Sequence, residues 1–184
     1  MPEGVGAGND IGIRQLAQAL TVESLTQLGD DGRAAPRLAR SWTWVQPWTK
    51  LRISLEPGVV AHDGLALTAG RVADALRAAL AKPSTRAMYP ALSDVTAVTA
   101  DGADVTVTLS RDSVFLPEDL EIPLELTTNG VGTGPYKVTR SNGDEIDLER
   151  FDRYRGGAPA IASITLRPLP SLRPAWAGLL RDDV

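Results

Sequence analysis

The residues of this chain that could do chemistry are few, and their spacing limits what they could do. His62 and Asp63 are adjacent, and a carboxylate beside an imidazole can tune its pKa and tautomer for proton transfer. Neighbours in sequence point apart, however, and no third partner is assignable, because no Gly-x-Ser-x-Gly turn presents a nucleophile. His62 is the only histidine and cysteine is absent, which removes thiolate catalysis, disulfides, zinc ribbons, iron–sulfur clusters and multi-histidine metal cages. His62 is therefore expected to be a structural or turn residue. Gly130-Val-Gly-Thr-Gly134 has the look of a phosphate cradle, but Pro135 breaks the dinucleotide spacing and no Gly-Lys-Ser/Thr follows. It also enters a strand-like segment, whereas phosphate motifs open a helix. Gly4-Val-Gly-Ala-Gly8 lacks a preceding strand, so both runs are expected to be turns that need glycine's permissive φ. Trp42, Trp44, Trp48 and Trp176 could build an aromatic platform, but Trp42 and Trp44 share a strand face and core packing is the expected fate of the pair. Glu118, Asp119 and Glu121 are expected to form a solvated loop, and no carboxylate pair has glycosidase spacing. The chain is expected not to be an enzyme, with no catalytic residue, no metal ligand and no cofactor.

The elements around these residues follow from periodicity and turn chemistry. Asn9 and Asp10 can cap a helix with Ile13, Leu16, Ala17 and Leu20 on one face, extended by Leu25 and Leu28 and stopped at Gly29. Ser41–Val45 and Trp48–Leu55 read as a hairpin about Gln46-Pro47, the second strand alternating Leu51, Ile53 and Leu55 with polar residues. Thr68 can cap a helix carrying Val72, Ala75, Leu76, Ala79 and Leu80, which Lys82-Pro83-Ser84 ends. Segments 94–99 and 104–109 flank Asp101-Gly102, a hairpin signal, and 136–140 and 145–149 flank Asn142-Gly143 in the same way. A strand over Ile161–Leu166 and a helix from about Ser171 to Arg181 complete an α+β order with a mixed, largely antiparallel sheet and flanking helices.

Composition bounds the partners. At 184 residues the chain can form a domain with a sizeable core, and 43% hydrophobic with 23% charged residues excludes a disordered class. Nineteen basic against 23 acidic residues, a net charge of −4, argues against nucleic acid as a partner. No stretch approaches the ~18 uninterrupted apolar residues of a membrane span, and the N-terminus has no signal-peptide pattern. That leaves a cytoplasmic protein or a chain whose beginning is missing.

Four segments in order bear on that choice. Leu38-Ala-Arg-Ser-Trp42 precedes Leu51-Arg-Ile-Ser-Leu-Glu-Pro-Gly-Val-Val-Ala-His-Asp-Gly64; Leu67-Thr-Ala-Gly-Arg-Val72 follows, and later Val131-Gly-Thr-Gly-Pro-Tyr-Lys137. This order, with Tyr154-Arg-Gly-Gly-Ala-Pro159 and the strand after it, resembles the peptide/nickel-type extracellular solute-binding proteins of ABC importers, the dipeptide and oligopeptide receptor family. The pattern departs at Ala61, where the family has an aromatic, and at Gly70-Arg71, where it has acidic residues. The resemblance implies the N-terminal part of a periplasmic-binding-protein type II-like, two-lobed fold. Residues 13–67 would form a first sheet segment, 68–130 a helix with a hairpin insertion, and 131–184 the return strands and the start of the crossover. It further implies a small solute, above all a peptide, as ligand; ABC permease subunits as partners; a monomer; and a periplasmic or extracellular place, which favours a missing start. Carried over by position, Asn9, Asp10, Met88 and Tyr89 would border the cleft. Helix capping for the first two and ordinary packing for the others are the competing roles. A sensor domain of a transcription regulator and a non-binding fragment are the alternative functions. Half a cleft cannot enclose a ligand, so this chain alone is expected to show no thermal shift with peptide pools.

Overall fold

Helix α1 spans Gly6–Thr21 in the computed structural model, which describes residues 6–127, 130–142, 145–169 and 171–181. The helix thus begins before Asn9 and Asp10, which lie within it rather than capping it, and it stops well short of Leu28. The stop has a tertiary cause. The Thr21 carbonyl accepts the Gly134 amide at 3.0 Å, while Thr21 Oγ1 donates back to the Ala17 carbonyl at 2.8 Å. Beyond the helix Leu25 is fully buried, and Thr26–Leu28 forms strand β1, antiparallel to β2, Ala34–Pro36.

Strands β3 (Ala39–Gln46) and β4 (Lys50–Leu55) form the expected hairpin, with a shifted turn. Trp48 sits in the turn at φ +56° rather than opening the second strand, and its ring meets Trp44 edge-on at 5.5 Å. Helix α2 (Ala69–Leu80) follows, its Thr68 cap accepting the Arg71 amide at 3.3 Å. Pro83 does not merely end α2; it opens a short helix α3, Pro83–Met88, because proline's missing N–H is harmless in a first turn. A 3-10 turn over Pro90–Asp94 leads into β5 (Val95–Asp101), and the Gly102 turn, at φ +60°, leads into β6 (Asp104–Leu109). The sheet order is β3-β4-β6-β5, so α2 and α3 form the crossover between neighbouring hairpins. Val72, Ala73, Leu76 and Leu80 of α2 are buried in the core with Leu51, Ile53, Val105 and Val107. Each Leu buried this way contributes roughly 1.5–3 kcal/mol of transfer free energy.

After the four-residue helix α4 (Leu116–Asp119), strands β7 (Tyr136–Ser141), β8 (Ile146–Arg150) and β9 (Ser163–Leu166) form a separate three-stranded sheet in that order. Asn142 stands at the β7–β8 turn and Gly143 lies outside the described residues. Helix α1 covers this sheet through Ala17, which shares a smaller core with Tyr136, Ile146 and Leu148. Helix α5, Leu172–Leu179, comes last. Every strand pairing among the described residues is antiparallel, and the strands form separate sheets rather than one. None of the described helices is long and apolar enough to cross a membrane.

The acidic residues around α4 are not a solvated loop. Asp119 Oδ2 accepts the Ala91 amide at 2.6 Å, Glu121 Oε1 accepts the Leu28 amide at 3.0 Å, and Glu118 Oε2 is buried. Burial pushes the Asp119 carboxyl above the usual carboxylate range, against the stabilising Ala91 amide. These side chains tie α4 to β1 and to the 3-10 turn, contacts that no local sequence pattern announces.

Candidate functional site

A groove of about 670 Å³ opens between α1, α2, α3 and the segment 122–127. Gln15 and Gln18 line it from α1; Ala75, Ala79 and Lys82 from α2 and its end; Met88 and Tyr89 from α3 and its end. Met88 is 71% exposed, while Tyr89 is half-buried and packs against the main core as well as bordering the groove. Burial raises the Tyr89 phenol above its ordinary pKa, and the charges of Glu121 and Asp119 add to the effect, so it stays a neutral donor at physiological pH. Asn9 and Asp10 lie on the first turns of α1, and their side chains are outside the described residues.

The groove holds charges of both signs. Asp74 is paired with Arg77 at 2.5 Å, one turn apart on α2. Glu125 accepts the Gln18 amide nitrogen at 3.3 Å and faces Lys82 Nζ at 3.5 Å. Walls of mixed polar and apolar side chains suit non-covalent capture of a small solute.

A smaller groove, of about 420 Å³, lies on the other side of Gln18 and Glu125, with Arg14, His62, Asp63 and Lys137 on its walls. Here His62 Nε2 donates to the Gly134 carbonyl at 3.0 Å and the ring meets Phe151 edge-on at 5.0 Å. The carbonyl acceptor requires the proton on Nε2. Burial drives the imidazole pKa below its ordinary value and Lys137 pushes the same way, while the Gly134 carbonyl opposes them. His62 is thus a clasp between the 59–66 loop and the Gly132–Gly134 turn, whose Gly132 carbonyl also accepts the His62 amide. Burial raises the Asp63 carboxyl less than the Leu65 amide and the Arg71 guanidinium lower it, so it sits below its usual range. Arg71, a departure from the family pattern, therefore holds Asp63 together with the Leu65 amide.

The glycine run is required for space as well as for φ. Gly130 has φ +75°, but a Cβ on Gly134 would meet the Leu20 carbonyl oxygen at 2.7 Å, and one on Gly132 would overlap the Thr21 carbonyl. Trp42 and Trp44 pack against the main core as expected, whereas Trp176 is 62% exposed, so the four tryptophans form no platform.

The residue that periodicity missed is Glu23. It is fully buried, and its Oε1 accepts Arg155 Nη2 at 2.9 Å, with Arg37 Nε and Tyr154 Oη at 3.4 Å. The cluster joins the α1–β1 connector to the segment after β8. Its one sequence signal is a carboxylate between Val22 and Leu25, inside a run that is otherwise buried.

The chain is similar to known proteins on two levels. Among curated relatives it is 26% identical over 168 residues to the HTH-type transcriptional regulator SgrR of Escherichia coli (strain K12), covering 84% of this chain and 29% of the regulator. Among solved structures it resembles NikA from Brucella suis in complex with Fe(III)-EDTA, at TM-score 0.81 and 22% identity, over 91% of this chain and 37% of that one. It also resembles the oligopeptide-binding protein AppA from Bacillus subtilis in complex with a nonapeptide, at TM-score 0.76 and 21% identity, over 99% and 39%. The chain therefore spans about three-tenths of the curated relatives and two-fifths of the solved ones. The model of the family described as bacterial extracellular solute-binding proteins, family 5 Middle, matches residues 33–184. With its helices and antiparallel sheets arranged as in those structures, the chain belongs to the family 5 bacterial extracellular solute-binding proteins.

Proposed function

We propose that this chain supplies one wall of the capture site in the substrate-binding component of an ABC importer, taking peptides or similar small solutes. The observation that carries the reading is the groove between α1, α2 and α3, which brings Met88 and Tyr89 beside the amides of Gln15 and Gln18. On this reading Asn9 and Asp10, on the first turns of α1, would border the cleft as well. Similar folds hold a nonapeptide in one relative and a metal chelate in another, which supports a small solute without naming it. Capture is non-covalent, by closure of a second wall over the groove, and the partners are the permease subunits of the transporter. The protein acts as a monomer in the periplasm or outside the cell. In this reading residues 13–67 supply the first sheet segment, 68–130 a helix with a hairpin insertion, and 131–184 the return strands and the start of the crossover.

The match to SgrR supports a second reading, in which the same fold serves as the sensor of a transcription regulator. Deleting the encoding locus and measuring uptake of a radiolabelled peptide separates the two. Loss of uptake, restored by complementation, is the expected result. Unchanged uptake with altered transcription of neighbouring genes selects the sensor and refutes the importer reading.

A further inference from the structure

A third cavity, of about 540 Å³, shares no lining residue with the two grooves beside α1. Arg33 and Ala34 border it at the start of β2, and Trp42 borders it from β3. Val114, Phe115, Pro117 and Glu118 close it from α4 and the residues just ahead of α4. Long-range hydrogen bonds hold this last wall in place. The Ser113 amide donates to the Trp48 carbonyl at 2.9 Å, and Thr26 Oγ1 donates to the Pro117 carbonyl at 2.7 Å. The walls are therefore set before a ligand arrives, which lowers the cost of binding.

Packing of the fold leaves three features of these walls unexplained. Glu118 Oε2 is shut off from solvent with no hydrogen-bond partner among the described residues, whereas buried polar atoms are nearly always paired. Val114 and Phe115 are neighbours, 49% and 66% exposed, and meet Trp42 at the same cavity. Arg33 is exposed, and its guanidinium has no hydrogen-bond or ion-pair partner among the described residues, Glu118 included. The Glu118 charge is thus poorly hydrated and uncompensated, so a cation at its open oxygen, Oε1, gains more than at a fully solvated carboxylate. Aromatic side chains attract a cation as well. We propose that this cavity binds a small organic amine. Glu118 Oε1 accepts the ammonium N–H, Trp42 and Phe115 flank the cation, and Val114 and Pro117 take an apolar tail. Arg33 opposes the ligand's charge, weakly because solvent screens it.

The test is a saturation-transfer NMR titration of this chain with 2-phenylethylamine, its neutral analogue 2-phenylethanol and the anionic 3-phenylpropionate. The amine is expected to bind at least about fivefold more tightly than the alcohol, as one charge-assisted contact requires. Glu118→Gln abolishes that preference. Phe115→Ala weakens the amine about two- to fivefold, the range for one cation–aromatic contact. Arg33→Gln tightens it about two- to threefold, a gain that a merely structural role would not give. Circular dichroism checks that each variant folds; should Glu118→Gln fail to fold, the alcohol comparison and Phe115→Ala decide. Equal binding of amine and alcohol, tighter binding of 3-phenylpropionate, or no binding of the amine overturns the proposal. So does a folded Glu118→Gln chain that binds the amine as the unmodified chain does. None of these outcomes touches the solute-binding reading, because the cavity is separate from both grooves.

Discussion

Replacing Glu23 with glutamine tests whether a single buried carboxylate joins the α1–β1 connector to the segment after β8. The substitution keeps the volume, so the loss is electrostatic rather than a cavity. Of the three contacts to Oε1, the 2.9 Å bond from Arg155 is well formed, and those at 3.4 Å from Arg37 and Tyr154 are marginal. One hydrogen bond to a charged group is worth about 1.5–3 kcal/mol. Two further effects have opposite signs. Oε2 is buried without a partner among the described residues, so an amide nitrogen placed there is left unsatisfied. Arg155 and Arg37 keep 31% and 26% of their side-chain exposure and can be rehydrated, which holds the loss below the roughly 3–5 kcal/mol of a stranded buried charge. The expected loss is about 2–3 kcal/mol, or about 4–12 °C in melting midpoint for a chain of this size. Urea unfolding followed by tryptophan fluorescence measures it, alongside Arg155→Gln and the double variant. The cycle should return a coupling of about 1–2 kcal/mol between the two positions. A loss under about 0.5 kcal/mol for Glu23→Gln, or additivity within about 0.3 kcal/mol, would refute the reasoning.

Gly132→Ala should destabilise by at least about 2 kcal/mol, because its Cβ would overlap the Thr21 carbonyl, whereas Gly70→Ala, with nothing nearer than 3.9 Å, should be neutral or stabilising by up to about 1 kcal/mol; chemical denaturation compares the pair. His62 has a folded pKa below its ordinary 6.5, so it stabilises the neutral-pH fold in full above 6.5, and that contribution is lost as pH falls through the lowered value. Unfolding from pH 8 to 5 should therefore show the stability gap between the unmodified chain and His62→Gln shrinking below pH 6.5; a gap that widens on acidification contradicts the assignment. Thr68→Ala removes the α2 cap and should lower stability by about 1 kcal/mol, and Thr68→Ser should restore most of it. Equal losses for the two Thr68 variants would show that the hydroxyl bond is not what matters.

Elements with strong local signals were legible from residues alone. The Thr68 cap, the apolar face of α2 and the Asp101-Gly102 turn all stand where sequence placed them, because cap, periodicity and turn chemistry agree there. Helix α1 was misjudged at both ends. Its pattern continues through Leu25 and Leu28, but the Thr21 carbonyl is claimed by Gly134, more than a hundred residues away in sequence. The acidic residues near α4 were misread for the same reason, since the amides of Leu28 and Ala91 reach them only in the folded chain. Met88 and Tyr89 were named through resemblance, and the groove beside them supports that placement without testing it.

Sequence by itself determined the chemistry open to this protein: one imidazole, no thiol, no nucleophile turn, and a motif order that resembles a solute-binding family. It also determined which hairpins form, since those depend on neighbours a few residues apart. Tertiary structure decided what depends on distant partners: that His62 is a clasp, that Glu23 is buried among arginines, and that Gln18 and Glu125 stand where two grooves meet. A local pattern records a residue's own conformational preference, but burial and charge pairing are properties of the surroundings, which exist only once the sheets have packed.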